Sequence, residues 1–283
     1  MEEETKPKRS FKSVLINILI ILTLLIISIF MYAKYIGTSG ISVKEYLVKS
    51  DKIPKSLSGS KIIYFSDLLL GSTTNLDTLK LIAKRINELN PDIVIFGGNL
   101  LSDLKYLDNK SDLVSELKNI DASLGKYFVL GDNDSEEVRD ILLESDYILL
   151  ENDYDLIYKD STTPICLMGF NSYNKSLYNL DKINDCEGYY KIYFTHESDL
   201  LYKINDYSFD IFLAGNTLGG EINIPFYGPF YKFSGSVKYY NDYYNLNDKE
   251  IFISNGLGNK KTGLRFNNRP SINFIRLKST EQN

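Results

Sequence analysis

Histidine is almost absent from this chain of 283 residues: His196 is the only one. A metal centre built from several imidazoles is therefore excluded. Cysteine is limited to Cys166 and Cys186. Cys166 lies in the apolar run "ICLMGF" and reads as core, and the spacing alone does not decide whether the two pair. An excess of basic residues is also missing. The formal net charge is −5, and beyond Gly40 there are 27 basic against 34 acidic residues, so a nucleic-acid-binding face is excluded. No fixed-period repeat and no Pro-, Gly- or Ser-rich linker interrupts the chain, which leaves one domain of ordinary size.

What is present begins with a long apolar run. Val14 to Tyr32, "VLINILIILTLLIISIFMY", carries no charge and roughly matches the ~20 residues that cross a bilayer core. The expected organisation is a cytoplasmic N-terminus over 1–13, a transmembrane helix over 14–33 and a domain over 41–283. Lys6, Lys8, Arg9 and Lys12 precede the run and only Lys34 closely follows it, so the positive-inside rule puts the large domain outside the cytoplasm. The run is longer than the apolar part of a cleaved signal peptide and lacks an A-x-A site, so the anchor is expected to remain.

The domain reads as strands alternating with helices. "KIIYF" precedes a helical pattern from Leu76 to Leu89 with Asn75 as N-cap; "DIVIF" and "KYFVL" follow, separated by a helix near Ser111, and another helix begins near Ser135. Such alternation implies right-handed crossovers and a parallel sheet. After Tyr147 come short apolar runs with one helix near Ser198 to Ile204, which call for a second sheet. The Tyr- and Asn-rich "KYYNDYYNLND" reads as an exposed loop.

In open α/β sheets ligands bind beyond the carboxyl ends of the strands. Five loops stand there: "FSDLLLG", "FGGNLLSD", "LGDNDSEE", "FTHESD" and "AGNTLGGE". Their order, with the later "SNGLG" and "RFNNRPS", resembles the calcineurin-like metallophosphoesterases, membrane-anchored bacterial members in particular, over nearly the whole domain. That resemblance implies a four-layer αββα sandwich. It also implies a dimetal site whose positions are occupied here by Asp67, Leu69, Asn99, Asp132, His196, Asn216 and Leu218, with Asn133 where the family has a protonating histidine. Two leucines ligate nothing, and the Asn99 amide supplies no anionic bridge.

The resulting expectation is a membrane-anchored homologue that has lost dimetal catalysis, has no catalytic residues and no cofactor, and binds an unknown protein or a small polar ligand as a scaffold. The alternative is a reduced phosphoester hydrolase at the cell surface holding one divalent cation (Ca, Mg or Mn) through Asp67, Asn99, Asp132, His196 and Asn216. Glu221 reads as a turn residue.

Overall fold

The computed structural model describes residues 11–281; the expected cytoplasmic segment with Lys6, Lys8 and Arg9 lies largely outside them. Helix α1 (Phe11–Met31) is apolar on every side and exposed throughout. It is the one helix among the described residues long and apolar enough to cross a membrane. It continues through a π-turn, Tyr32–Ile36, in which the Gly37 N–H donates to Tyr32 O at 2.7 Å. Only glycine fits at position 37, because a Cβ there would collide with the Arg265 carbonyl.

Strand β1 (Ser42–Ser50) leads into β2 (Lys61–Phe65). Helix α2 (Leu76–Leu89) starts at a reciprocal cap: the Asn75 side chain accepts from Thr78 N–H at 2.9 Å, and Thr78 Oγ1 accepts from Asn75 N–H. Then come β3 (Ile93–Phe96), α3 (Lys110–Lys118), β4 (Gly125–Phe128), α4 (Glu136–Glu144) and β5 (Ile148–Leu149). The second half runs through β6 (Asp153–Ile157), β7 (Ile165–Phe170), β8 (Tyr190–Glu197) and β9 (Ile211–Gly215). The hairpin strands β10 (Asn223–Ile224) and β11 (Gly228–Pro229) follow, and the chain closes with β12 (Tyr243–Leu246), β13 (Lys249–Ile253) and β14 (Ser271–Ser279).

Two six-stranded sheets result, in the orders β1-β14-β2-β3-β4-β5 and β12-β13-β9-β8-β7-β6. Strands β2 to β5 in one and β7, β8, β9 and β13 in the other are parallel. Side chains alternate across each strand, so β2 serves two cores. Ile62 and Tyr64 meet Phe194 and Leu213 between the sheets, whereas Ile63 and Phe65 pack with Leu79, Ile82 and Ile141 under the helices. A third core covers the outer face of the second sheet. There the fourth layer is thin: a 3-10 turn at Ser198–Leu200, the single helical turn Leu201–Ile204, and the segment ending at Cys186, which is disulfide-bonded to Cys166. The αββα sandwich expected from the resemblance is the fold observed.

Two local expectations fail. Tyr243–Leu246 is a strand rather than a loop, because Tyr243 and Phe252 pack their rings 5.6 Å apart with Tyr46 beside them. Strand β1 was not anticipated; its half-exposed sequence hides a complete parallel register with β14, Ser42 opposite Ser271 through Ser50 opposite Ser279.

Candidate functional site

Asp67, Asn99, Asp132 and Asn216 come from loops after β2, β3, β4 and β9, His196 from the end of strand β8, and they converge at one edge of the sandwich. The backbone is left-handed at Asp67, Leu69, Asn99, Asn216 and Leu218, with φ between 48° and 61°. For leucine that conformation costs on the order of 1–3 kcal/mol, and it persists only where the surrounding structure over-determines it. Asp67 is fully buried; its Oδ2 accepts from Ser66 Oγ at 2.7 Å and from the Asn216 N–H at 2.9 Å.

Asn99 is the hub. Its Nδ2 lies 3.1 Å from Asp67 Oδ1, 3.0 Å from Asp132 Oδ1 and 2.8 Å from His196 Nε2, while its Oδ1 accepts from the Asn133 N–H. His196 Nδ1 donates to Gly97 O at 2.5 Å, which turns Nε2 toward Asp132 Oδ1 at 3.4 Å and Asp67 Oδ1 at 3.8 Å. Burial opposes a charge on this ring, but the Asp67 charge, the hydrogen bond to Asp132 and the Glu197 charge raise its pKa to about 9. The neighbouring acids thus favour a charged ring, while the Asn99 Nδ2 donor 2.8 Å from Nε2 favours a neutral one that accepts its N–H. Asp132 shows the reciprocal effect: burial works against its carboxylate, and the hydrogen bond and charge of His196 with the Lys260 ammonium hold it far below the usual range.

Lys260 escaped sequence reasoning. Its Nζ lies 3.0 Å from both Asp132 oxygens and 3.5 Å from Asn216 Oδ1. No strand-end rule points to it, because it stands in the long segment between β13 and β14. Glu221, read as a turn residue, is what places that segment. It is fully buried and accepts from the N–H groups of Lys260, Lys261 and Thr262 and from the Thr262 hydroxyl. Asp134 was also passed over; its carboxyl accepts the N–H groups of Asn99, Leu100 and Gly131, tying two site loops together. Arg265, wholly buried, donates to the carbonyls of Asn255, Gly256, Gly258 and Leu218 and so fixes the remaining loop.

Leu69 and Leu218 pack with Phe233 into a small apolar cluster. They offer no donor atom. Asn99 directs N–H bonds at both carboxylates, and an ammonium already pairs with Asp132, so these side chains as placed do not fit a pair of divalent ions. Among the described residues no group of three or more His, Cys, Asp or Glu is arranged to hold an ion. Beside the cluster lies a cavity of about 380 Å³ lined by Leu69, Leu101, Leu104, Asn133 and Lys260 among others.

No family model matches the chain. Individual relatives do. The uncharacterized metallophosphoesterase YkuE of Bacillus subtilis is 30% identical over 259 residues, covering 88% of this chain and 90% of its own. The uncharacterized metallophosphoesterase YkoQ of the same organism is 23% identical over 91% of this chain and 98% of its own. A transmembrane protein with metallophosphoesterase domain from Danio rerio is 33% identical over 93 residues, 32% of this chain and 21% of its own.

These relatives overturn two expectations. A chain that aligns from end to end with proteins named for metal-dependent phosphoester hydrolysis is not set apart as a non-enzyme, and the absence of a cofactor is likewise not retained. The physical reason is that loss of motif letters did not disperse the site: Asp67, Asp132 and His196 still converge on one another. The departures lie in the number and placement of ligands and in Asn133, which stands where the resemblance puts a protonating histidine. With the sandwich, the convergent strand-end loops and this similarity together, the chain belongs to the metallophosphoesterase family.

Proposed function

We propose that this chain is a single-pass membrane protein, N-terminus cytoplasmic, whose extracytoplasmic domain hydrolyses phosphoesters at the cell surface. The observation that carries the reading is the convergence of Asp67, Asp132, His196 and Lys260 at the strand ends beside an open cavity. Lys260 Nζ is a positive charge on the wall of this cavity, suited to holding phosphoryl oxygens as negative charge develops on them, and His196 lies buried behind Asp132. Asp132 lies between Lys260 and His196 and orients both, and Asn99 fixes the spacing of the carboxylates.

The anchor reading is supported by α1, whose 21 residues span roughly 31 Å at ~1.5 Å per residue. The Cys166–Cys186 disulfide suits an oxidising compartment. Full-length protein in detergent, supplied with bis-p-nitrophenyl phosphate with and without Mn²⁺, is expected to release p-nitrophenolate, and Asp132→Ala to reduce the rate to that of the reagent blank. A wild-type rate equal to the blank under both conditions would overturn the proposal. External protease should degrade the domain on intact cells.

A further inference from the structure

The loop that carries Asn216 and Leu218 continues directly into the β10–β11 hairpin, and this hairpin is apolar where it should be polar. Phe226 at its tip is fully exposed, with Tyr227, Phe230 and Ile224 exposed around it. Apart from an edge-on contact of Phe230 with the neighbouring Tyr231 ring, centroids 4.9 Å apart, no ring contact among the described residues involves these four side chains, and exposed clusters of this kind mark contact surfaces.

The base of the hairpin shows what covers them. Asn223 N–H donates to Phe266 O, and Phe266 N–H donates to Glu221 O. The Phe266 ring in turn meets the Tyr32 ring edge-on, with centroids 6.0 Å apart, and the Arg265 N–H donates to Ala33 O. The hairpin therefore grows from the point where α1 enters the domain. Tyr32 immediately follows a stretch long enough to cross the hydrocarbon core, which puts it at headgroup level, where aromatic side chains concentrate. Phe226 is four residues from Ile222, which bridges to Phe266, so its Cα lies at most about 14 Å from that of Ile222.

Resting on the anchor reading above, we propose that the β10–β11 hairpin inserts Phe226, Tyr227 and Phe230 into the interface of the same bilayer that holds α1, as a second membrane contact adjoining the phosphoesterase cleft. Phe and Tyr with a proline-bordered tip and no charge between Ile222 and Tyr231 suit the headgroup–acyl boundary, where the apolar ring bodies are buried and the Tyr hydroxyls stay wet.

The chain contains no tryptophan, so a single introduced one reports without background. Full-length Phe226→Trp and Leu22→Trp are reconstituted in vesicles of phosphatidylcholine and phosphatidylglycerol, with or without phosphatidylcholine brominated near the headgroup or deep in the chain. Leu22→Trp, inside α1, is expected to be quenched by the deep bromines, and Phe226→Trp by the shallow ones with a blue-shifted emission. Phe226→Trp that emits as in water and escapes quenching, while Leu22→Trp is quenched, overturns the hairpin contact and leaves the anchor intact. Blue-shifted but unquenched Phe226→Trp identifies a contact with a second copy and overturns it equally. An unquenched Leu22→Trp removes the anchor reading and this inference with it. Phe226 touches nothing in the fold, so its replacement leaves folding unchanged.

Discussion

Replacing Glu221 by glutamine tests how the segment that bears Lys260 is held. In the wild type, Oε1 accepts from the N–H groups of Lys260 at 2.5 Å and Lys261 at 2.8 Å, and Oε2 accepts from the Thr262 N–H and Oγ1, both at 2.7 Å. A glutamine keeps one acceptor oxygen. Its best orientation turns the NH₂ toward Thr262, whose hydroxyl can rotate to accept while the Thr262 N–H loses its partner. The two retained backbone bonds weaken from charge-assisted, ~1.5–3 kcal/mol each, toward neutral ones of ~1 kcal/mol. Because Lys260 and Thr262 are half-buried and water can take over part of the loss, the low end applies, about 2 kcal/mol. For a domain of this size that is a fall in Tm of roughly 4–8 °C.

The assay is thermal unfolding at several pH values. Burial opposes the charge of Glu221, but the Thr262 hydroxyl and the N–H groups of Lys261, Lys260 and Thr262 hold its carboxyl below the ordinary range. A carboxyl depressed in the folded state contributes stability that is complete above its unfolded pKa and disappears as the pH falls through its folded value. The gap between wild type and Glu221→Gln should therefore be full at pH 7 and close on acidification below the ordinary Glu pKa. Equal Tm values at pH 7 would refute the assignment of Glu221 as the holder of this segment.

Lys260→Met removes the ammonium from Asp132 and Asn216, so millimolar Mn²⁺ should raise the Tm of this variant more than that of wild type; equal shifts would show that Lys260 does not compete with cations there. Asp134→Asn leaves a backbone N–H of Leu100, Asn99 or Gly131 facing an amide donor, and should cost ~1–3 kcal/mol in denaturant unfolding while displacing Asn99 and lowering turnover. A variant with wild-type stability would contradict that role. Serine at both Cys166 and Cys186 opens a cross-link spanning 20 residues and should cost about 3 kcal/mol, read as a lower denaturation midpoint that reductant no longer changes.

What could be read from the sequence followed periodicity and punctuation. β2, β3 and β9 are continuous apolar runs because both of their faces are buried, and α2 declares itself through Asn75 and the spacing of Leu79, Ile82 and Ile86. β1 and β12 did not, because each is half exposed and takes its identity from a partner far along the chain, β14 for the one and Tyr46, stacked on Tyr243, for the other. At the site, residues directly behind strands were found, and Lys260, Glu221 and Asp134 were not. Their roles lie in hydrogen bonds between loops remote in sequence, which composition and spacing do not encode. The expectation of an inert protein failed for a related reason: it weighed each missing ligand separately, whereas the retained fold keeps the acids and the imidazole together.

The joint between α1 and the domain has a mechanical consequence. Ala33 and Gly37 are packed against Arg265, and only residues 37–41 lie between Ile36 and Ser42. A tethered enzyme on a loose linker searches a hemisphere of solution. Under the proposed anchoring, this domain would stand on a short post, its cleft held near one height above the bilayer and meeting what drifts sideways through that plane.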